Sequence, residues 1–337
     1  MEVDFNYYAK IINVRLVCSI ISLISCIFII VLYFILLINV KLSKKEKLKN
    51  DILSEFKDSE TLSSFEIKGE KNVSLGTHYM FFLILSKALW CILSIYQCLK
   101  YPFGFLYLFD KYISNCEIFG FIHNYLELIS ICWTTFIIKI FMDSTKFIDG
   151  QIINEKLELI KGICICIFLT LIITLFPLFS NSYGPAKTHC SFDYLDLTAM
   201  TRLWWFTYTI ICSSLIFYNI YAFIKIISFY CRKLKKLKFL NKDDYNSIRV
   251  FIIIFCLFPL ILIINTTLKG FSRYKDLFGF GDFSFFQSVF FCLSGFLKCI
   301  PCLFFYRGVF KICKNDNDNE RSLSQQDISL SDFKFRQ

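Results

Sequence analysis

No segment of this 337-residue chain alternates apolar and polar residues with the period of two that a barrel strand needs over about ten residues, which excludes a transmembrane β-barrel. No acid/base pair and no metal-ligating cluster stands at a productive spacing, so enzymatic chemistry is not expected. No internal repeat is visible, and repeats, broken helices or several mid-membrane polar residues are the usual marks of a transporter. No small-residue cleavage site follows the first apolar run, over 14–40, which is longer than the roughly 7 to 15 residues of a cleaved signal. That run is expected to stay as an anchor.

What is present is apolar bulk. The chain is 56% hydrophobic and 19% aromatic with a mean hydropathy of +0.55, more than a soluble core of this size requires. Polar and charged residues gather in blocks, and the runs between them can cross about 30 Å of hydrocarbon at a rise of about 1.5 Å per residue. Seven such runs, 14–40, 79–99, 118–141, 160–179, 203–227, 250–268 and 283–306, predict an all-α membrane protein, a seven-transmembrane helix bundle.

An odd number of crossings puts the two ends on opposite faces. Segments 41–78, 142–159, 228–249 and 307–337 hold about two dozen Lys and Arg against about eight in 1–13, 100–117, 180–202 and 269–282. The short amino-terminal segment 1–13 is therefore expected outside, the tail 307–337 in the cytoplasm, and the chain in the plasma membrane with a long first inner loop, 41–78. Most of the formal charge of +10 lies on the inner face, notably CRKLKKLKFLNK with Arg232, Lys233, Lys235, Lys236 and Lys238. Such a cluster orients the chain and touches inner-leaflet lipids, or docks a cytoplasmic partner; nucleic acid is not implied.

Most of the sixteen cysteines fall inside the apolar runs, where Cys behaves as a small buried hydrophobe. Cys116, at the mouth of the third run, and Cys190, in a polar loop, lie clearly outside. An oxidising exterior and a loop able to fold back over the bundle predict a disulfide between them. Two unrelated thiols are the alternative, and Cys98 is a weaker candidate for either partner. The pairs Cys164 with Cys166 and Cys299 with Cys302 have no nearby His and read as packing residues instead of metal ligands.

Seven runs, an outside amino end and that cysteine pair resemble a G-protein-coupled receptor. SYGPAKTHCSF at 182–192, Arg202 and FYNIYAFIKII at 217–227 resemble the fourth-to-fifth-span region of the cyclic-AMP receptor-like family, relatives of the secretin and adhesion receptors. FPLILII at 258–264 resembles that family's sixth span, SGFLKCIPCLFFYRG at 294–308 its seventh, and Trp133 falls where its third span often has Trp. No Asp/Glu-Arg-Tyr triad ends the third run (KIFMDSTK, 139–146) and no Asn-Pro-x-x-Tyr ends the seventh, which argues against rhodopsin-like receptors; Lys298 stands where the family usually has Asn. The resemblance implies a receptor that transmits a small extracellular, cyclic-nucleotide-like ligand signal to a heterotrimeric G protein, with no cofactor. A multi-pass transporter or channel is the alternative, and a membrane scaffold a third reading.

Charges inside spans are costly and mark functional interiors. Glu127 is the only acid deep in any span, and Lys298 lies at a depth that lets the two pair. Lys298 also raises a retinal Schiff-base reading with Glu127 as counter-ion, but it stands too close to the inner face and no opsin motif accompanies it. Lys87 is expected to snorkel toward the inner headgroups. His189 and Arg202, with Trp204 and Trp205 opening the fifth span, put cations beside aromatics, which suits an anionic ring-bearing ligand bound between helices. Pro259 and Pro301 would bend the sixth and seventh spans, as hinges or as static kinks. RGVFKICKN at 307–315 is a basic, partly amphipathic stretch fit to lie on the membrane with Cys313 palmitoylated, and Ser324 and Ser331 in the polar tail precede acids and are candidate phosphorylation sites.

Overall fold

The computed structural model describes residues 5–55, 75–100, 116–147, 155–186, 189–192, 198–237, 260, 261, 264, 289, 290 and 292–303. Four of its elements are α1 (Phe5–Glu55), α2 (Leu75–Lys100), α3 (Cys116–Phe147) and α6 (Ala199–Leu237). Between α3 and α6 runs a helical rod made of α4 (Glu155–Cys164), a wide π turn (Ile165–Leu169) and α5 (Thr170–Phe179), followed by the strands β1 (Tyr183–Ala186) and β2 (His189–Phe192). A further apolar helix, α7, covers Cys292–Leu303.

Five helices are long and apolar enough to cross a membrane: Ala9–Leu42, Thr77–Lys100, Cys116–Ile140, Leu157–Phe179 and Ala199–Phe229. Each overlaps one of the first five apolar runs. α7 lies within the seventh, and Leu260, Ile261 and Ile264 of the sixth are helical. Pro259 is outside the described residues; Pro301 is buried inside α7. The basic Lys238, Cys313, Ser324 and Ser331 also lie outside them.

Burial follows helical period in a chain whose helices are apolar all round. On α1 the enclosed positions Cys18, Ser22, Cys26, Ile29, Tyr33 and Leu36 recur every three or four residues, while Ile20, Ile24, Phe28, Val31 and Phe34 on the other face stay exposed. An apolar stripe turned outward is tolerable only where lipid is the solvent, so this is a multi-pass membrane protein. α3 occupies the middle, meeting α2, α5, α6 and both strands. Around it the core holds Tyr33, Tyr79, Phe82, Trp133 and Ile137, with the Phe82 and Trp133 rings stacked 5.1 Å apart.

The fourth span departs from a plain rod. Pro177 inside α5 has no N–H to give its helix, and the π turn lies about two turns earlier. Threonine hydroxyls take up backbone carbonyls on this stretch: Thr170 Oγ1 donates to the oxygens of Cys166 and Ile167, and Thr174 Oγ1 to that of Thr170 at 2.8 Å. The other departure from an all-helical chain, among the described residues, is the hairpin. β1 and β2 pair antiparallel with Tyr183 opposite Phe192, Gly184 opposite Ser191, Pro185 opposite Cys190 and Ala186 opposite His189.

Candidate ligand site

Cys190 of β2 is bonded to Cys116, the first residue of α3, with Cα atoms 5.4 Å apart. Cys98, the weaker candidate, is a free buried thiol. One turn into α3, a side chain on Gly120 would place its Cβ 3.0 Å from the Ser191 carbonyl oxygen and 3.0 Å from Tyr183 Cβ, so the missing side chain is what lets the hairpin lie flat on the helix. One turn further, Asn124 Nδ2 donates to the Gly120 oxygen at 2.7 Å and to Ser191 Oγ at 3.3 Å, and Tyr208 of α6 donates its hydroxyl to the Asn124 carbonyl at 3.3 Å. Tyr183 donates to the Thr174 carbonyl of α5 at 2.9 Å. Burial pushes the Tyr183 phenol above its ordinary range, so it stays a neutral donor. The hairpin is thus bonded to α3 and α5, and its Phe192 ring packs edge-on against Tyr208 of α6 with centroids 5.5 Å apart.

Tyr183→Phe removes that hydroxyl and its bond to the Thr174 carbonyl, at a cost of about 1 kcal/mol. Hydrogen exchange is expected to show faster exchange of the hairpin amides with α2 unchanged; equal rates in both proteins would show that the bond does not hold the hairpin down.

A polar column descends from the hairpin. The His189 ring lies 4.6 Å from that of His123 on α3, and His123 lies 5.3 Å from Trp90 on α2. Two cations share the Trp90 indole: Lys87 Nζ at 3.8 Å from the ring centroid and Arg15 Cζ, from α1, at 5.9 Å. Arg15 Nε donates to Ser94 Oγ at 3.0 Å, and Ser19 Oγ donates to Ser94 Oγ at 3.1 Å. Deeper, Glu127 stands one turn below His123 on α3, and Lys298 Nζ donates to Ser130 Oγ, the next turn, at 2.7 Å. Glu127 acts electrostatically on both Lys87 and Lys298. Arg15, Lys87 and Lys298 are 3%, 5% and 4% exposed, and burying a cation in an apolar medium costs several kcal/mol unless charge and hydrogen bonds offset it.

Of the residues singled out from sequence, Glu127, Lys298 and His189 belong to this column. Arg202 is exposed in the first turn of α6. Trp204 stacks on Phe176 of α5 with centroids 5.9 Å apart, and Trp205 joins the apolar cluster around Tyr208. Of these three, Trp204 stands at the α5–α6 seam. The expectation that Lys87 reaches for inner headgroups does not hold: its side chain is buried and its ammonium lies over the Trp90 face, which attracts it. Arg15, Trp90 and His123 escaped sequence reasoning. Arg15 is the second residue of the first run, where a cation looks like an end-of-span charge, and only its bond to Ser94 across the helix pair reveals burial.

At the opposite end, Glu158 joins Lys139 and Lys161 at 3.1 Å each, and Arg232 is exposed with its Nε on the Ser228 carbonyl at 3.1 Å. The side chains of Lys233, Lys235 and Lys236 lie outside the described residues. Among the described residues no group of three or more His, Cys, Asp and Glu is placed to hold a metal ion.

No protein-family model and no curated protein matches the sequence. Among solved structures, the chain is similar to the crystal structure of squid rhodopsin, with a TM-score of 0.54 and 13% sequence identity over 90% of this chain and 81% of that one. At that identity the likeness is one of fold. The chain has a G-protein-coupled-receptor-like helical membrane fold, and the transporter reading gains nothing from it. The missing rhodopsin-type triads concern motifs, which a shared fold leaves open.

Proposed function

We propose that the protein is a G-protein-coupled receptor of the cyclic-AMP receptor-like kind, without enzymatic activity, seated in the plasma membrane. Its bundle crosses seven times over 14–306, with segment 1–13 outside and the tail 307–337 in the cytoplasm. A small anionic ligand, cyclic-nucleotide-like in charge and size, settles beneath the tethered hairpin. The observation that carries this reading is the buried column of Arg15 and Lys87 over Trp90, with Lys298 deeper on Ser130, below a disulfide-held lid. An anion there offsets the cost of the buried cations and so favours whichever bundle packing closes on it. Bends at Pro259 and Pro301 then let the far ends of spans six and seven swing, opening a crevice where Arg232, Lys233, Lys235, Lys236 and Lys238 meet a heterotrimeric G protein. Palmitate on Cys313 and phosphate on Ser324 and Ser331 adjust that coupling.

Membranes containing this chain and the source organism's G proteins are expected to exchange guanine nucleotide faster than membranes without it. In the same cells a membrane-impermeant maleimide, applied after reduction, labels Cys190 from outside. No exchange with any of those G proteins removes the coupling, and labelling of Cys190 only after permeabilisation inverts the topology.

A further inference from the structure

Gln97 is 1% exposed, and among the described residues neither its Oε1 nor its Nε2 has a hydrogen-bond partner. Each buried unserved polar atom costs about 1–3 kcal/mol, a burden that a leucine of similar reach would not carry. The side chain sits three residues before the end of α2, one turn beyond Ser94 and two turns beyond Trp90 on the same helix face. It therefore caps the hairpin end of the Arg15–Ser94–Trp90 group. Arg15 is held there through Nε on Ser94, itself braced by Ser19.

We propose that α1 and α2 form a ligand subsite of their own, in which the Gln97 amide takes an amide-type edge of an anionic ligand, an N–H beside a carbonyl or ring nitrogen, while Arg15 balances the ligand's charge. The proposal deepens the receptor reading and rests on it for the ligand's access and sign of charge. A carboxamide offers one donor and one acceptor side by side, so it pairs with a complementary edge through two bonds, as glutamine does with a base edge. A guanidinium prefers an oxyanion and loses little freedom when already oriented. Trp90 supplies a flat apolar floor between these groups and the deeper Lys87. An ordered water can serve one of the two amide atoms but does not supply the charge that Arg15 attracts.

The full chain, purified in detergent, is titrated with adenosine 3′,5′-cyclic monophosphate, with N-carbamoyl-L-glutamate, whose terminal NH2 lies beside its carbonyl, and with inorganic phosphate, following thermal melting. One of the two edge-bearing probes is expected to raise the melting temperature by several degrees, and which one does so distinguishes a heterocyclic edge from a carbamoylated amino acid. Gln97→Leu weakens that probe about 10- to 100-fold, the value of one bidentate pair, while its unliganded melting temperature equals or exceeds the wild type's. Inorganic phosphate, which has charge without an edge, acts alike on both proteins. Gln97→Met serves if the leucine variant does not fold. The subsite is overturned if neither edge-bearing probe shifts the wild type, if both proteins respond equally to the active probe, or if both variants are clearly less stable when empty. Nucleotide exchange failing while probe binding persists removes the receptor reading and leaves the subsite; exchange intact with Gln97→Leu binding normally does the reverse.

Discussion

Serine at Cys116 or at Cys190 is expected to cost the folded bundle roughly 4 kcal/mol, the chain-entropy value for freeing a loop of this span. The two cysteines are separated by 74 residues, and every described contact of the hairpin with the bundle lies within reach of that tether. Thermal melting in detergent without reductant should fall by roughly 10 °C for either single variant and for the double variant alike, since a lone partner gains nothing from the other. Reductant should bring the wild type down to the same temperature. Cys98→Ser is the control and should melt with the wild type. A pair of single variants that differ from each other, or that melt where the wild type does, would show the pairing to be wrong. Loosening the hairpin also moves His189 from His123, so under the proposed receptor function ligand-driven exchange should weaken in step with stability.

Alanine at Gly162 should be nearly as damaging, although it adds one methyl group. Its Cβ would stand 2.6 Å from Tyr79 Cζ and closer still to the phenol oxygen. Tyr79 cannot move aside cheaply: it is fully buried, it donates to the Glu158 carbonyl at 2.6 Å, and its ring lies 5.6 Å from Trp133 and 5.7 Å from Phe136. Overpacking of this kind costs about 1–3 kcal/mol and the displaced hydrogen bond about 1 more. Tyr79→Phe removes the nearest atom, so Gly162→Ala should hurt less in that background, with a coupling of at least about 0.5 kcal/mol in a double-mutant cycle. Strict additivity would mean that α4 relaxes away from α2 without help from Tyr79.

How far the sequence could be read differs by element. The first five apolar runs were visible because crossing hydrocarbon imposes a length and a composition on each segment separately, and no neighbour is needed to recognise them. The Cys116–Cys190 bond was visible because few thiols lie outside those runs. The hairpin that carries Cys190 was not: SNSYGPAKTHCSF has turn-forming residues, but its strands are four residues each and persist through Gly120, Asn124 and Thr174 on other elements. The π turn before Thr170 and the notch at Gly162 gave no local signal of comparable strength.

The site shows the same division. Glu127 and Lys298 were marked by being charged in apolar runs, a property each has alone. Arg15, Trp90, His123 and Gln97 acquire meaning only together, and Trp204, a plausible ligand contact by composition, turns to Phe176 because of how α6 is rotated against α5. Lys87 is held inside the bundle for a similar reason, since the Trp90 ring lies within reach of its ammonium.

By itself, then, the order of residues determined the solvent, the helical spans and the few charges that must be hidden, because transfer into lipid acts on each segment independently. Only the tertiary structure decided which faces meet: rotation and depth of one helix against another depend on close packing at positions such as Gly120 and Gly162 and on hydrogen bonds between distant residues, and these join parts of the chain that carry no local record of each other.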